Sequence, residues 1–167
     1  METENVERIN GLRAYKTLDE WLTKHVLRHS AIKDTHTFLI PFARSEEETI
    51  VCIFDIDVDA EQFTFYGILN IDLATEKIPE VAEYLTRANY GIRIGNFELD
   101  FDDGEVRYKS SLDFEREVLG ENLIENAVAH AIDNIDRYLG GLREVAVGLK
   151  TPKEAILAVE NSKTICV

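Results

Sequence analysis

Proline, cysteine, methionine and tryptophan are scarce in this 167-residue chain: three, two, one and one. Two cysteines cannot form a disulfide framework, and Cys52 and Cys166 lack zinc-ligand spacing. Cys52 falls inside an apolar run and is expected to be a buried, inert thiol. Cys166 misses the position, fourth from the end, that a prenylation box requires. No apolar stretch approaches the roughly 18 residues of a membrane-spanning helix, and the polar stretch Met1–Arg13 has no signal-peptide core. A cytoplasmic protein is the expectation.

Positive charge is also in short supply. Eighteen basic residues face 32 acidic ones, a net charge of −14. Residues 45–76 hold nine acids and no base. Nucleic acids need a basic footprint, so they are excluded as partners, and anionic membranes are disfavoured in the same way. A cationic partner is permitted; excess acid also serves solubility.

What is present is an ordinary one-domain mixture, 45% hydrophobic and 30% charged. Residues 1–16 read as a loose leader, residues 17–160 as a single domain, and 161–167 as a frayed tail. Thr17-Leu18-Asp19-Glu20 has the capping-box pattern, and Leu18, Trp21, Leu22, His25, Val26 and His29 share a helical face, which predicts a helix over 18–29. Alternating apolar residues predict strands over 35–42, 49–58 and 63–69, with one covered face bearing Phe38, Ile40, Cys52, Phe54, Phe63 and Phe65. Their connections, 43–48 and 59–62, are short enough for antiparallel neighbours. A helix over 78–89 follows.

Asp103-Gly104 has the chemistry of a two-residue hairpin turn. That turn would set Phe101 opposite Val106, Asp100 opposite Arg107, Leu99 opposite Tyr108 and Glu98 opposite Lys109 in a hairpin over 97–110. A long helix is predicted over 121–138, ended by Gly140-Gly141, then an extended 142–150. Thr151-Pro152-Lys153-Glu154 opens a short last helix to about 160. The order α-βββ-α-ββ-α-α implies the α+β class: a mostly antiparallel five-stranded sheet covered by helices.

Chemistry is hard to find. Asp55, Asp57 and Asp59 alternate along a strand, but counting from Asp55 the EF-hand glycine and glutamate positions hold Ala60 and Tyr66. His25 and His29 have the i,i+4 spacing of a metal pair, without the adjacent glutamate of a zinc protease or an evident third ligand. There is no nucleophile elbow, and Gly91-Ile92-Arg93-Ile94-Gly95 is not a phosphate loop. No catalytic residue, metal or cofactor is therefore assigned. The candidate partner or ligand loop is the linker carrying Asn89, Tyr90, Arg93 and Asn96.

The stretch Asn89–Lys109, Asn-Tyr-Gly-Ile-Arg-Ile-Gly-Asn-Phe-Glu-Leu-Asp-Phe-Asp-Asp-Gly-Glu-Val-Arg-Tyr-Lys, resembles the YbjN family of bacterial sensory transduction regulators. Asp136-Arg137-Tyr138-Leu139 looks similar too, and the resemblance spans residues 17–160, with members of this type occurring in cyanobacteria. It implies the fold of type III secretion chaperones, a homodimer, and no active site to carry over. The function expected is a non-enzymatic module binding a protein or peptide partner, chaperone-like or regulatory. The alternative is a small-ligand or metal sensor using the acidic strand or the His25/His29 pair.

Overall fold

A computed structural model describes residues 2–25, 29–43 and 49–161. Val26, the 43–48 connection beyond Ala43, the tail beyond residue 161 and Cys166 lie outside these residues. Among the described residues the helices are α1 (Glu2–His25), α2 (Ile78–Gly91), α3 (Glu121–Ala146) and α4 (Pro152–Asn161). The strands are β1 (Ser30–Ala31), β2 (Thr37–Ala43), β3 (Thr49–Asp57), β4 (Gln62–Leu69), β5 (Asn96–Leu99) and β6 (Val106–Asp113).

The α+β class holds, and the sheet has six antiparallel strands rather than five, in the order β1-β2-β3-β4-β6-β5. The added strand is β1. A turn closed by the Ile32 N–H on the Thr37 carbonyl, 2.9 Å, folds Ser30 and Ala31 back onto Leu39 and Phe38. One sheet face carries Phe38, Ile40, Cys52, Phe54, Phe65 and Tyr108, all buried. Burying a side chain of this kind contributes about 1.5–3 kcal/mol. The helices lie on this face: Tyr15 of α1 stacks on Phe38 at 5.0 Å, and Trp21 meets Phe54 at 6.2 Å.

Three expectations are corrected. The leader is helical from Glu2. Thr17 does not cap: its hydroxyl donates to the Arg13 carbonyl one turn back, as a threonine inside a helix does. The upstream part is tied down by the Asn10 carboxamide, which donates to Glu61 Oε2 at 2.9 Å and to the Glu117 carbonyl at 3.0 Å.

The hairpin register is two residues from the expected one. Leu99 pairs with Val106, Glu98 with Arg107, and Phe97 with Tyr108. Asp100 and Glu105 close a wider loop, with the Asp100 N–H on the Glu105 carbonyl at 2.9 Å and the Asp100 carboxylate holding the Asp102 N–H at 2.8 Å. A shift of two preserves the side-chain alternation, so apolar still meets apolar.

The third correction concerns α3, which runs through Gly140 and Gly141 to Ala146. Gly141 is there for close approach: a Cβ on it would sit 2.4 Å from the Tyr84 hydroxyl, which donates to the Tyr138 carbonyl at 2.8 Å. The helix ends at Gly148, at φ +73, where the Gly148 and Leu149 N–H groups bond the Val145 and Glu144 carbonyls. The capping box at α4 forms as read: the Thr151 N–H donates to Glu154 Oε2 at 2.9 Å, and the Glu154 N–H returns to the Thr151 hydroxyl at 3.3 Å.

Candidate functional site

The loop expected to hold a site splits into two kinds of residue. The Asn89 carboxamide accepts the Phe97 N–H at 2.8 Å and donates to the Phe97 carbonyl at 3.0 Å, and Asn96 donates to the same carbonyl at 3.3 Å. Both asparagines thus serve the backbone of β5. Tyr90, 97% exposed, and the exposed Arg93 face solvent. Tyr90 borders a shallow cleft with Thr86, Arg87, Ile156 and Glu160. The loop itself is pinned by the Tyr108 hydroxyl, which donates to the Ile94 carbonyl at 2.5 Å and accepts from Asn134 at 3.0 Å.

The histidines do not occupy successive turns of one helix. His25 is the last residue of α1 and His29 lies past its end. His25 Nδ1 sits 2.8 Å from the Trp21 carbonyl, and His29 Nε2 3.2 Å from Asp19. Among the described residues no group of three His, Cys, Asp or Glu side chains is placed to hold a metal ion.

The acidic strand is also divided. Asp55 and Asp57 stay on β3, while Asp59 falls in the turn beyond it. Asp55 accepts the Thr37 hydroxyl at 2.6 Å, and Asp57 accepts the N–H groups of Asp59 and Ala60 at 3.1 and 2.8 Å. These are turn and strand contacts. Burial pushes the Cys52 thiol up to about 12, so it is not a nucleophile at neutral pH.

Both edges of the sheet are guarded. Phe97 turns its N–H and carbonyl outward, and Asn89 occupies both, as a neighbouring strand would. At the other edge β1 covers β2 at Phe38 and Leu39. Farther along β2 the next outward-facing position is Pro41, which has no N–H to offer.

The sheet face away from the helices is different. Leu39, Ile53 and Tyr66 lie in one row across β2, β3 and β4, and Pro41, Val51 and Ile68 in the next. No helix covers these side chains among the described residues; Leu39 is 39% exposed and Val51, Ile53, Tyr66 and Ile68 are partly exposed. On β6 the rows continue as Lys109 and Arg107, which stand over the Tyr66 ring at 5.9 and 4.6 Å. Glu98 on β5 ties both down, at 2.8 Å to Arg107 and 3.6 Å to Lys109. Sequence reasoning missed this patch although its signal was present: a strand with one wet face should be polar at alternate positions, and these six are not.

The sequence profile of the YbjN family, described as "Putative bacterial sensory transduction regulator", matches residues 15–144. Comparison with curated proteins gives no match. Among solved structures, a chain of the HopA1–SchA chaperone–effector complex is similar, at 17% identity and a TM-score of 0.53, over 81% of this chain and 97% of that one. The crystal structure of E. coli YbjN, named there a putative transcription regulator, aligns at 11% identity and a TM-score of 0.49, over 80% and 89% of the two chains. The α+β fold is thus shared with that chain of the chaperone–effector complex. No helix among the described residues is long and apolar enough to cross a membrane.

Proposed function

The chain belongs to the YbjN family, and on that premise we propose that it is a non-enzymatic protein-binding module, chaperone-like or regulatory, whose binding surface is the open face of the sheet. The observation that carries this reading is the block of six apolar side chains, Leu39, Pro41, Val51, Ile53, Tyr66 and Ile68, contiguous by strand register and free of any covering helix among the described residues. In a chain of net charge −14, contiguous apolar surface is worth a partner: removing it from water contributes roughly 25 cal/mol per Å². The structural relative from a chaperone–effector complex supports a protein partner. The guarded edges favour side-chain docking on the face over strand addition. A homodimer in the cytoplasm belongs to the same reading, and sedimentation and cell fractionation test it.

The test is site-specific photocrosslinking in the host cell. A crosslinker at position 53, on the open face, should give a discrete adduct with another protein, and one at position 125, on the outer face of α3, should not. Tyr66→Asp should abolish the first adduct. Equal adducts from both positions, or none from position 53, would overturn the proposal.

A further inference from the structure

The open face has an electrostatic direction. Beyond the apolar rows, the next row reads Thr37, Asp55, Thr64 and Ser111, and the one after it Asp57, Gln62 and Asp113. Neither row holds a lysine or an arginine. Among the described residues the cations of the face are Arg107 and Lys109, which lie on the flank beside Tyr66 and are already bonded to Glu98. The charge left for a partner is therefore negative, and it sits at one end of the apolar block.

We propose that the occupant of this face is a segment of a partner protein in which apolar side chains are followed by basic ones. Its apolar residues rest on Leu39, Ile53 and Tyr66, and its lysines or arginines reach Asp55, Asp57 and Asp113. This rests on the open face being the binding surface. Charge complementarity selects the occupant: a second copy seated on this face would bring its own Asp55, Asp57 and Asp113 to an acidic surface, and an anionic membrane would be repelled. The carboxylates sit at the solvent-exposed end, so their contribution is sensitive to salt.

Two synthetic peptides test it. Both carry the same leucine- and phenylalanine-rich stretch; one continues into lysines and the other into glutamates. Fluorescence anisotropy should show the lysine peptide binding about tenfold more tightly at low salt, with the ratio falling toward one at high salt. The triple variant Asp55→Asn, Asp57→Asn, Asp113→Asn should remove that preference; asparagine keeps the carbonyl oxygen that accepts the turn N–H groups, so the fold is spared. Ile53→Asp, and independently Tyr66→Ser, should abolish binding of both peptides. Equal affinities that remain sensitive to Ile53→Asp would overturn the charge argument and leave the binding face standing. Insensitivity to Ile53→Asp and Tyr66→Ser, or no binding of either peptide, would overturn both. Concentration-dependent self-association abolished by Ile53→Asp would make a second copy the occupant and overturn the proposal.

Discussion

Asn89 holds both backbone groups that Phe97 turns away from its sheet, accepting the N–H at 2.8 Å and donating to the carbonyl at 3.0 Å. A single carboxamide stands where another strand would pair. This makes Asn89 an edge guard, and it separates the residue from its exposed neighbours Tyr90 and Arg93. Asn89→Ala should cost about 1–3 kcal/mol in urea unfolding, because the Phe97 N–H loses its partner and the carbonyl keeps only the 3.3 Å bond from Asn96. It should also increase concentration-dependent association, read by light scattering. Tyr90→Ala and Arg93→Ala should each stay within about 0.5 kcal/mol of the parent chain. Equal losses at all three positions would count against the distinction.

The hairpin register has its own signature. Glu98 pairs with Arg107 through a 2.8 Å bond, while Asp100 turns to its own loop. A double-mutant cycle on Glu98→Gln and Arg107→Gln should give a coupling of about 0.2–1 kcal/mol. The same cycle on Asp100→Asn and Arg107→Gln should give none. The reverse result would restore the tighter two-residue turn.

Much of the fold was readable because period-2 and helical patterns survive small errors. The hairpin shows this: a register displaced by two residues keeps Leu99, Phe97, Val106 and Tyr108 on one face, so the pattern could not choose between the two. The glycine pair misled for a different reason. Gly140 and Gly141 look like a helix stop, but the approach of Tyr84 to Gly141 depends on α2 packing on α3, which no local window contains. Within the candidate loop the local sequence does not separate Asn89, whose partner is backbone eight residues away, from the exposed Tyr90 and Arg93. The open face becomes a patch only through register: Val51, Ile53 and Ile68 are scattered in sequence and meet Leu39, Pro41 and Tyr66 once β2, β3 and β4 pair.

The two glycines should therefore answer oppositely to alanine. At Gly141 the new Cβ would fall 2.4 Å from the Tyr84 hydroxyl. Gly141→Ala should cost about 1–3 kcal/mol by overpacking. Tyr84→Phe removes the clashing oxygen, and the double variant should be less destabilised than the two single losses predict. At Gly140 nothing lies within 4 Å. Gly140→Ala should stabilise the helix by about 0.5–1 kcal/mol. Thermal unfolding of the four variants checks the pattern.

Alkaline pH should weaken the protein. Burial pushes the Cys52 thiol and the Tyr108 hydroxyl up to about 12, and raises Tyr84 as well. Each group is raised in the folded state, so the unfolded chain releases these protons first, from about pH 8.5 for cysteine and pH 10 for tyrosine. Between those values and pH 12 the folded state holds more protons, and stability falls as pH rises. The contribution is complete below about pH 8.5. Urea midpoints from pH 8 upward should decline, and Cys52→Val should flatten the first part of the decline. A flat profile to pH 11 would show these groups to be accessible in the folded protein.

The first sixteen residues give the sharpest contrast between sequence and structure. From the sequence they read as a loose leader. In the structure Ala14 is buried, Tyr15 stacks on Phe38 at 5.0 Å, and Asn10 donates to the carboxylate of Glu61. Glu61 is only 4% exposed, and it also accepts the Arg116 N–H at 3.1 Å. A chain beginning at residue 17 would expose part of the Phe38 surface and leave a buried carboxylate short of a hydrogen bond. Each loss is of order 1–3 kcal/mol, and together they approach a sizeable share of a small domain's stability. The shortened chain should therefore lose about 2–4 kcal/mol or fail to fold, while Asn10→Ala in the full chain should lose about 1–3 kcal/mol. Unchanged stability of the shortened chain would mean that α1 upstream of Thr17 is dispensable, and that Glu61 is satisfied without it.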